Sequence, residues 1–489
     1  MAKTKLILLF LFYSLFHLNN IYCQTMVSGN ISGTWSTEGN PYLVIDNCTI
    51  QKGELLKIQP GVEVIIGDSL SISAFGRIEA IGNHKDPIKF KAPNEDVYWD
   101  KIEVNYNGEI SEFTYCDFSN ANIAIYLKMV GKITDTMITK IQNCSFTKCD
   151  SSGLYGYVYG NSTYSWGGMW SHYPHLNPII KNCTFDNLAN GCIFYIRGWG
   201  AVYAPTTRGY TSPIILNNIF KNITNTVLKL EAGSYAGSSE PTFINNTIYD
   251  CENGIATQEP YDVKIKNNLF TNSGTVIQRT NDLSSTLSYN CFFNNTINFI
   301  GYPESYGLLV MQNHNNDPCD IAFNIYNEPL YNDTVSFTLS NDSPCIDAGS
   351  PDSSLLDVKF PPSLGSVIND IGAYGGQEAG NWLDTVLNLT NIESYKNNNI
   401  LLSQNYPNPF KSITKIEYEL SYSDFVNLAI FNISGQKIKD LVNQKQTAGR
   451  YQVVWNGTDQ KGKSIPNGLY FYKISSGDFL KVKKMFFIR

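Results

Sequence analysis

Phe243-Ile244-Asn245-Asn246-Thr247-Ile248, Ile265-Lys266-Asn267-Asn268-Leu269-Phe270 and Leu287-Ser288-Tyr289-Asn290-Cys291-Phe292 are three copies of one six-residue phrase, and successive copies start 22 residues apart. Earlier copies start at Ile45, Phe113, Ile141, Ile180 and Ile215. From Phe113 onward the steps are 28, 39, 35, 28, 22 and 22 residues, so the shortest step is the bare repeat. Twenty-two residues are too few for a helix pair but fit three short strands and three turns. Such a coil buries its apolar side only by stacking on the next coil. The spacing therefore predicts an all-β fold, a right-handed parallel β-helix solenoid with equivalent residues about 4.8 Å apart.

The columns of the phrase support this reading. The first position is large and apolar, the sixth is Phe or Ile, and the third is Asn in six of the eight copies. Positions one and six differ in parity, so both point inward only if the chain bends between them. Asn tolerates the left-handed backbone that such a bend needs. The fourth position, Cys48, Cys116, Cys144, Cys183, Asn218, Asn246, Asn268 and Asn290, then faces the interior. There amides can bond to neighbours above and below, and a thiol can replace one as a small buried group. The four cysteines are read as stacking residues and not as disulfide partners. The ten cysteines beyond Cys23 show no CxxC and no Cys/His pair at zinc spacing.

Upstream, Leu56–Gly67, Leu70–Ile72, Gly76–Gly82 and Pro87–Phe90 alternate apolar and polar residues between Gly and Pro breaks. With Trp99-Asp100-Lys101-Ile102, they resemble the opening coils of secreted β-helix proteins of the pectate-lyase-like superfamily. Ser343–Gly349 and Asp370–Gly376 resemble the closing segment of such helices. The resemblance is architectural, spans roughly residues 29 to 376, and brings no catalytic motif.

Residues 381–400 lack a strand rhythm and read as a linker. Beyond it, alternating segments at Ile416–Leu420, Val426–Ile433, Tyr451–Trp455, Leu469–Ile474 and Leu480–Ile488 predict a small immunoglobulin-like β-sandwich. Asn405-Tyr406-Pro407-Asn408-Pro409-Phe410, Ile430–Gln436, Ala448–Tyr451, Trp455-Asn456-Gly457, Gly468–Tyr472 and the ending Lys481–Phe486 are similar to type A C-terminal sorting domains of the type IX secretion system. That resemblance implies partnership with the type IX machinery and its sorting protease, and delivery to the cell surface or the medium.

Met1-Ala2-Lys3-Thr4-Lys5 followed by the apolar run Leu6–Leu18 reads as a signal peptide, residues 1–23, cleaved before Gln24. The expected organisation is a signal peptide (1–23), a β-helix (24–380), a linker (381–400) and a sorting domain (401–489). No other apolar run is long enough to span a bilayer. The formal charge of −7, with no basic block, gives a nucleic acid no electrostatic reason to bind. Only 16 % of residues are charged, while Tyr (31) and Gly (37) are plentiful, a mix that favours turn-rich β structure.

The two longest steps are adjacent, so their extra residues should emerge side by side on one flank. They carry Tyr157, Tyr159, Tyr164, Trp166, Trp170 and His172 in the first, and Arg197, Trp199, Tyr203 and Arg208 in the second. Aromatic faces stack on sugar rings and Arg holds carboxylates in a forked pair of bonds, so these residues are the candidate ligand-binding set for polysaccharide. The alternative is that the loops bury their rings as a satellite core. Lys229, Glu231, Glu259 and Arg279 are the candidate catalytic set, because Glu231 and Glu259 each lie five residues past a strand start, Thr226 and Gly254. Stacked carboxylates would share a cation or push one pKa upward; the alternative is a solvated charged face. No metal site is predicted from the histidines. Asp347, Asp357 and Asp370 are candidates for Ca²⁺, against an ordinary turn role. Three functions follow: a surface or released protein that binds carbohydrate or another surface component, a polysaccharide lyase or glycoside hydrolase acting on uronate-rich glycans, and a passive adhesin or structural solenoid.

Overall fold

The computed structural model describes residues 24–131, 135–160, 163–165, 168–170, 173–198, 208–234, 236–237, 239–258, 261–279, 286–379, 401–420, 424–432, 436–447, 449–476 and 479–488. The expected signal peptide and linker lie outside these residues. The described chain is all-β: a parallel β-helix followed by a small antiparallel β domain. Among the described residues no helix is long and apolar enough to cross a membrane.

The Ile45 copy departs from the pattern, with Ile45 57 % exposed and in one strand, Tyr42–Ile50, with Ile50; from Phe113 onward each coil runs through the repeated phrase as expected. Its first position lies in a ten-stranded parallel sheet and its sixth in a second parallel sheet. Both are buried, as Phe113 and Phe118 or Phe243 and Ile248 show at 0 % exposure. Between them the third residue takes a left-handed conformation, with φ from +51° at Tyr115 to +59° at Tyr289. Asn47, in the first copy, is not among the left-handed residues; its side-chain oxygen instead accepts the Ser71 N–H at 2.8 Å. A second left-handed column follows five residues later at Asn120, Lys148, Asn187, Asn222, Asp250, Asn272 and Asn294. Each coil therefore has two sharp corners, and three faces result.

The interior is a set of stacks. Phe90, Phe118, Phe146, Phe185 and Phe220 succeed one another with ring centroids 5.0, 5.0, 4.6 and 4.6 Å apart. Ile248 interrupts this stack, and Phe270 and Phe292 resume it at 5.2 Å. Beside it runs an amide ladder: Asn218 donates to Asn246 at 3.0 Å, Asn246 to Asn268 at 3.0 Å, Asn268 to Asn290 at 3.1 Å and Asn290 to Asn324 at 3.0 Å. The ladder ends on the buried Asp320 carboxylate, which accepts from Asn324 at 3.1 and 3.2 Å. Each amide also donates to a carbonyl one coil back, Asn218 to Ile180 and Asn246 to Ile215, both at 3.1 Å. The thiols earlier in the column do the same more weakly: Cys116 reaches Ala80 O at 3.3 Å, Cys144 reaches Phe113 O at 3.5 Å and Cys183 reaches Ile141 O at 3.6 Å. These cysteines are buried and unpaired by disulfides, as the stacking reading expects.

The long steps do not hang as loops from a constant barrel. Strands Ser152–Gly160 and Thr184–Arg197 run on past the ordinary coil, and His175–Leu176 and Tyr210–Thr211 return through a separate three-stranded parallel sheet with Thr136–Met137. The enlarged section is filled by Met129, Val158, Leu176, Phe194, Ile196 and Tyr261, all nearly inaccessible. Gly156 is required within it, since a Cβ there would collide with the Phe194 ring.

A closing segment folds back over the face between the two corners. Outward positions turn apolar where it covers them: Leu269 and Cys291 pack with Ile325, Leu339, Cys345 and Ile371, and Ile219 packs with Phe337, Ala373 and Tyr374. The corner asparagines hold it as a strap. Asn267 Oδ1 accepts Ser350 N–H at 2.8 Å, Asn245 Nδ2 donates to Asp370 O at 2.9 Å, and Asn217 Nδ2 donates to Ala373 O at 2.9 Å.

The C-terminal domain pairs a three-stranded sheet (Leu401–Leu402, Thr414–Leu420, Gly449–Trp455) with a four-stranded one (Lys437–Gln446, Asp424–Asn432, Gly468–Ser476, Phe479–Phe487). Ile416, Leu428, Trp455, Tyr472 and Phe487 form its core. Lys437–Gln446 was not among the expected strands because it is mostly polar and its apolar residues Ile438, Leu441 and Val442 do not alternate. Phe471 packs on Leu356 and Val367 of the closing segment, and Lys473 Nζ donates to Gly365 O at 2.8 Å.

The ladder predicts a sharp contrast between two asparagine substitutions. Asn246→Ala leaves several buried partners unsatisfied and should lower unfolding free energy by about 3 kcal/mol. Asn294→Gly, at an exposed corner with φ +54°, should change it by less than about 0.5 kcal/mol. Urea unfolding followed by circular dichroism measures both, and equal effects would contradict the ladder's role.

Candidate functional site

The third face, beyond the second corner, carries most of the expected binding residues that the structure describes. Strands Trp99–Asn105, Ala121–Gly131, Ser152–Gly160, Thr184–Arg197 and Ile219–Ala232 lie parallel and in register there. Alternation sends Leu127, Met129, Leu154, Val158, Phe194 and Ile196 inward and their neighbours outward. One outward row reads Glu103, Tyr126, Tyr155, Ile193, Lys229; the next reads Asn105, Lys128, Tyr157, Tyr195, Glu231; a third reads Val130, Tyr159, Arg197. These tyrosines are half-buried and the backbone beneath them is held on both sides by sheet hydrogen bonds.

Stacking between coils decides what the rings offer. Tyr126 and Tyr155 lie 5.3 Å apart at an interplanar angle of 8°, and Tyr157 and Tyr195 lie 5.7 Å apart at 7°. Lys101 Nζ sits 5.3 Å from the Tyr126 ring, and Arg197 Cζ sits 5.7 Å from that of Tyr159. The inner ring faces are therefore covered by their neighbours, contrary to the flat stacking surfaces expected. The strip presents ring edges and phenol hydroxyls.

Charge on the face is almost all internally paired. Lys128 meets Glu103 at 3.1 Å, Lys101 meets Asp100 at 3.1 Å and Lys229 meets Glu231 at 2.8 Å. Arg197 is exposed and has no carboxylate within ion-pair distance among the described residues. Arg208 is exposed too, and its backbone crosses the end of the neighbouring strand, 3.0 Å from where a Cβ on Gly160 would stand. Both arginines thus lie at the Tyr159 end of the strip. Burial, and then Tyr155 and Glu103, push the Tyr126 phenol up to about 12; burial also raises Tyr155 and Tyr157. Tyr126, Tyr155 and Tyr157 are thereby held as neutral hydroxyl donors at neutral pH.

Other expected residues fall elsewhere. Tyr164 and Trp170 belong to a backbone hairpin, Thr163–Ser165 with Gly168–Trp170; their side chains, with Trp166, His172, Trp199, Tyr203 and Glu259, lie outside the described residues. His175 stacks on Tyr210 at 4.7 Å, and burial lowers its pKa. Of the expected catalytic quartet, Lys229, Glu231 and Arg279 are described and Glu259 is not. Lys229 and Glu231 share the face, but Thr226 pairs with Asn253 and not with Gly254, so Glu231 falls level with Gln258. The one-residue difference removes the basis for stacking Glu231 on Glu259. Arg279 follows Thr257 and Leu230 in register, and its guanidinium lies 4.7 Å from the Tyr302 ring. Asp347, Asp357 and Asp370 accept backbone N–H groups instead: Asp347 from Ser366 at 2.8 Å, Asp357 from Asp370 at 3.1 Å, and Asp370 from Leu364 at 2.6 Å. Among the described residues no three His, Cys, Asp or Glu side chains are grouped to hold a metal. Tyr126, Lys128 and Tyr195 belong to the strip and were missed; counting outward positions from the second corner of each coil would have found them.

A family model described as an FlgD Ig-like domain matches residues 411–478, in agreement with the sandwich. No curated protein matches the chain. Among solved structures, a double mutant of the tailspike protein of E. coli bacteriophage HK620 in complex with a pentasaccharide is 12 % identical, with 93 % of this chain and 87 % of that chain covered at a TM-score of 0.22. A single mutant of the same tailspike, also with a pentasaccharide, is 11 % identical over the same shares at a TM-score of 0.15. Neither superposition is close enough to transfer a site.

The Tyr126 shift has a definite sign. Its folded pKa, about 12, lies above the ordinary value of 10.0, so the stabilisation is fully present below pH 10 and is lost as pH rises through about 12. Tyrosinate absorbance should show a component titrating near pH 12, shared with Tyr106 and Tyr302, that Tyr126→Phe lowers by one tyrosine. An unchanged titration in that variant would refute the assignment.

Proposed function

We propose that this chain is an exported cell-surface or released β-helix protein that binds carbohydrate along the strip Tyr126, Tyr155, Tyr157, Tyr195 and Tyr159. The observation that carries the reading is this row of half-buried phenols on a rigid sheet, with Arg197 exposed beside it and without a carboxylate partner among the described residues. Phenol hydroxyls and ring edges accept and donate to sugar hydroxyls, and a pre-ordered surface loses little entropy on binding. The exposed guanidinium adds a group able to hold an acidic substituent. The signal-peptide pattern and the sorting-domain resemblance support export, with residues 401–489 directing passage across the outer membrane by the type IX route.

Lyase or hydrolase chemistry on the same face has weaker support, because Lys229 is engaged by Glu231 and Arg279 lies apart from both. Passive adhesion would leave the tyrosine row without a use.

Full-length protein on a glycan array, followed by equilibrium titration of the best ligand, tests the reading. Tyr157→Ala and Tyr195→Ala should each weaken binding about tenfold, of the order of one or two lost hydrogen bonds. Silence across the array, or binding indifferent to both changes, would overturn it. Export is tested separately by fusing residues 401–489 behind a signal peptide and reporter in a bacterium that has the type IX apparatus. The reporter should reach the surface and should stay periplasmic without the domain.

A further inference from the structure

The face between the two corners, with the second corner column, holds two clefts that share no lining residue with the tyrosine strip. Where residues Glu328–Thr334 of the closing segment stand off the solenoid, they leave a cavity of about 450 Å³, floored by Tyr249, Thr271 and Phe293. A second cleft of about 540 Å³ crosses the second corner column at Asn222, Asp250, Asn272 and Asn294. Asn272 lines both, so the two adjoin there. Both volumes fall within the range usual for ligand sites.

The lining specifies a chemistry. Phe293 is a half-buried ring that can take the apolar face of a sugar, beside Tyr249, whose own ring meets Phe337 at 5.0 Å. The corner residues repeat once per coil, about 4.8 Å apart, a spacing close to that of successive units in an extended pyranose chain. Two of these side chains already bond along that direction: Asn294 donates to Asn272 at 2.7 Å, and Asn222 donates to Asp186 at 2.7 Å. Asp250 and Glu252 line the trough, Glu328, Asp342 and Asp333 line the cavity, Asp333 already accepting from Val335 and Ser336, and among the described residues no Lys, Arg or His lines either. Lys221, in register with Tyr249, is paired with Asp186 at 3.4 Å. An anionic polymer is therefore repelled here, while ammonium groups on a hydroxyl-rich chain find acceptors.

We propose that the two clefts form one binding site for an oligomer of amino sugars, with a ring on the Tyr249–Phe293 floor and following units along the corner asparagines and carboxylates. The site is independent of the tyrosine strip and differs from it in charge.

Isothermal titration of the full chain with a β-1,4-linked glucosamine oligomer, its fully N-acetylated form and a uronate oligomer tests this. The glucosamine oligomer should bind at least tenfold more tightly than the acetylated form, and the uronate should not bind. Asn272→Gly keeps the φ of +53° accessible and removes the amide shared by both clefts; it should weaken binding at least tenfold. Glu252→Gln with Glu328→Gln should do the same, with melting temperatures confirming that both variants fold. No binding of the glucosamine oligomer, equal binding of the uronate, or full affinity in both variants would overturn the proposal. Loss of binding on Tyr157→Ala, with Asn272→Gly unaffected, would move the oligomer to the tyrosine strip and overturn it equally.

Discussion

The structure depends on one constraint: a polar group in the solenoid interior has to find its partner in the adjacent coil. Asn218, Asn246, Asn268, Asn290 and Asn324 meet this by bonding in line, with main-chain carbonyls absorbing the second amide hydrogen. The geometry fixes register, because a slip of one residue would put an amide against a Phe stack and leave its neighbours unsatisfied. The thiols of Cys116, Cys144 and Cys183 follow the same path with weaker bonds, in coils where the rest of the interior is already apolar.

Register in turn positions the outer faces. Because the corners are pinned by left-handed residues, added length must appear between corners, and here it lengthens the strands beyond the second one. Longer strands widen the section, and the widened section is filled by Phe194, Val158 and Tyr261. Outward residues then repeat across coils at strand spacing, so a tyrosine recurring at one position becomes a stack and not a scatter of separate rings. The same rule explains why Ile219, Leu269 and Cys291 turn apolar on the middle face: the closing segment covers those rungs.

The repeat, the first corner and the inward columns were legible because each is a residue-type requirement at fixed spacing. The second corner was harder to read, since Lys148, Asp250 and five asparagines share only a backbone conformation. The site was half legible. Tyr157, Tyr159 and Arg197 stood out as members of long steps, whereas Tyr126 and Tyr195 needed the register that brings them beside Tyr155 and Tyr157. The Glu231–Glu259 reading assumed that Thr226 aligns with Gly254, whereas it aligns with Asn253, and an offset of one residue suffices to change a strand neighbour. Lys437–Gln446 was invisible to alternation because its core residues Ile438, Leu441 and Val442 fall on both parities across a register shift.

The strap has a consequence for how the molecule is made. Asn267, Asn245 and Asn217 grip residues 350, 370 and 373, so coils synthesised early are locked by a stretch synthesised 83 to 156 residues later. A nascent chain that ends before this stretch carries Ile219 and Leu269 bare on its flank. Completion of translation and completion of the fold are thereby tied together, and a truncated product advertises itself as unfinished to any factor that surveys exposed apolar surface.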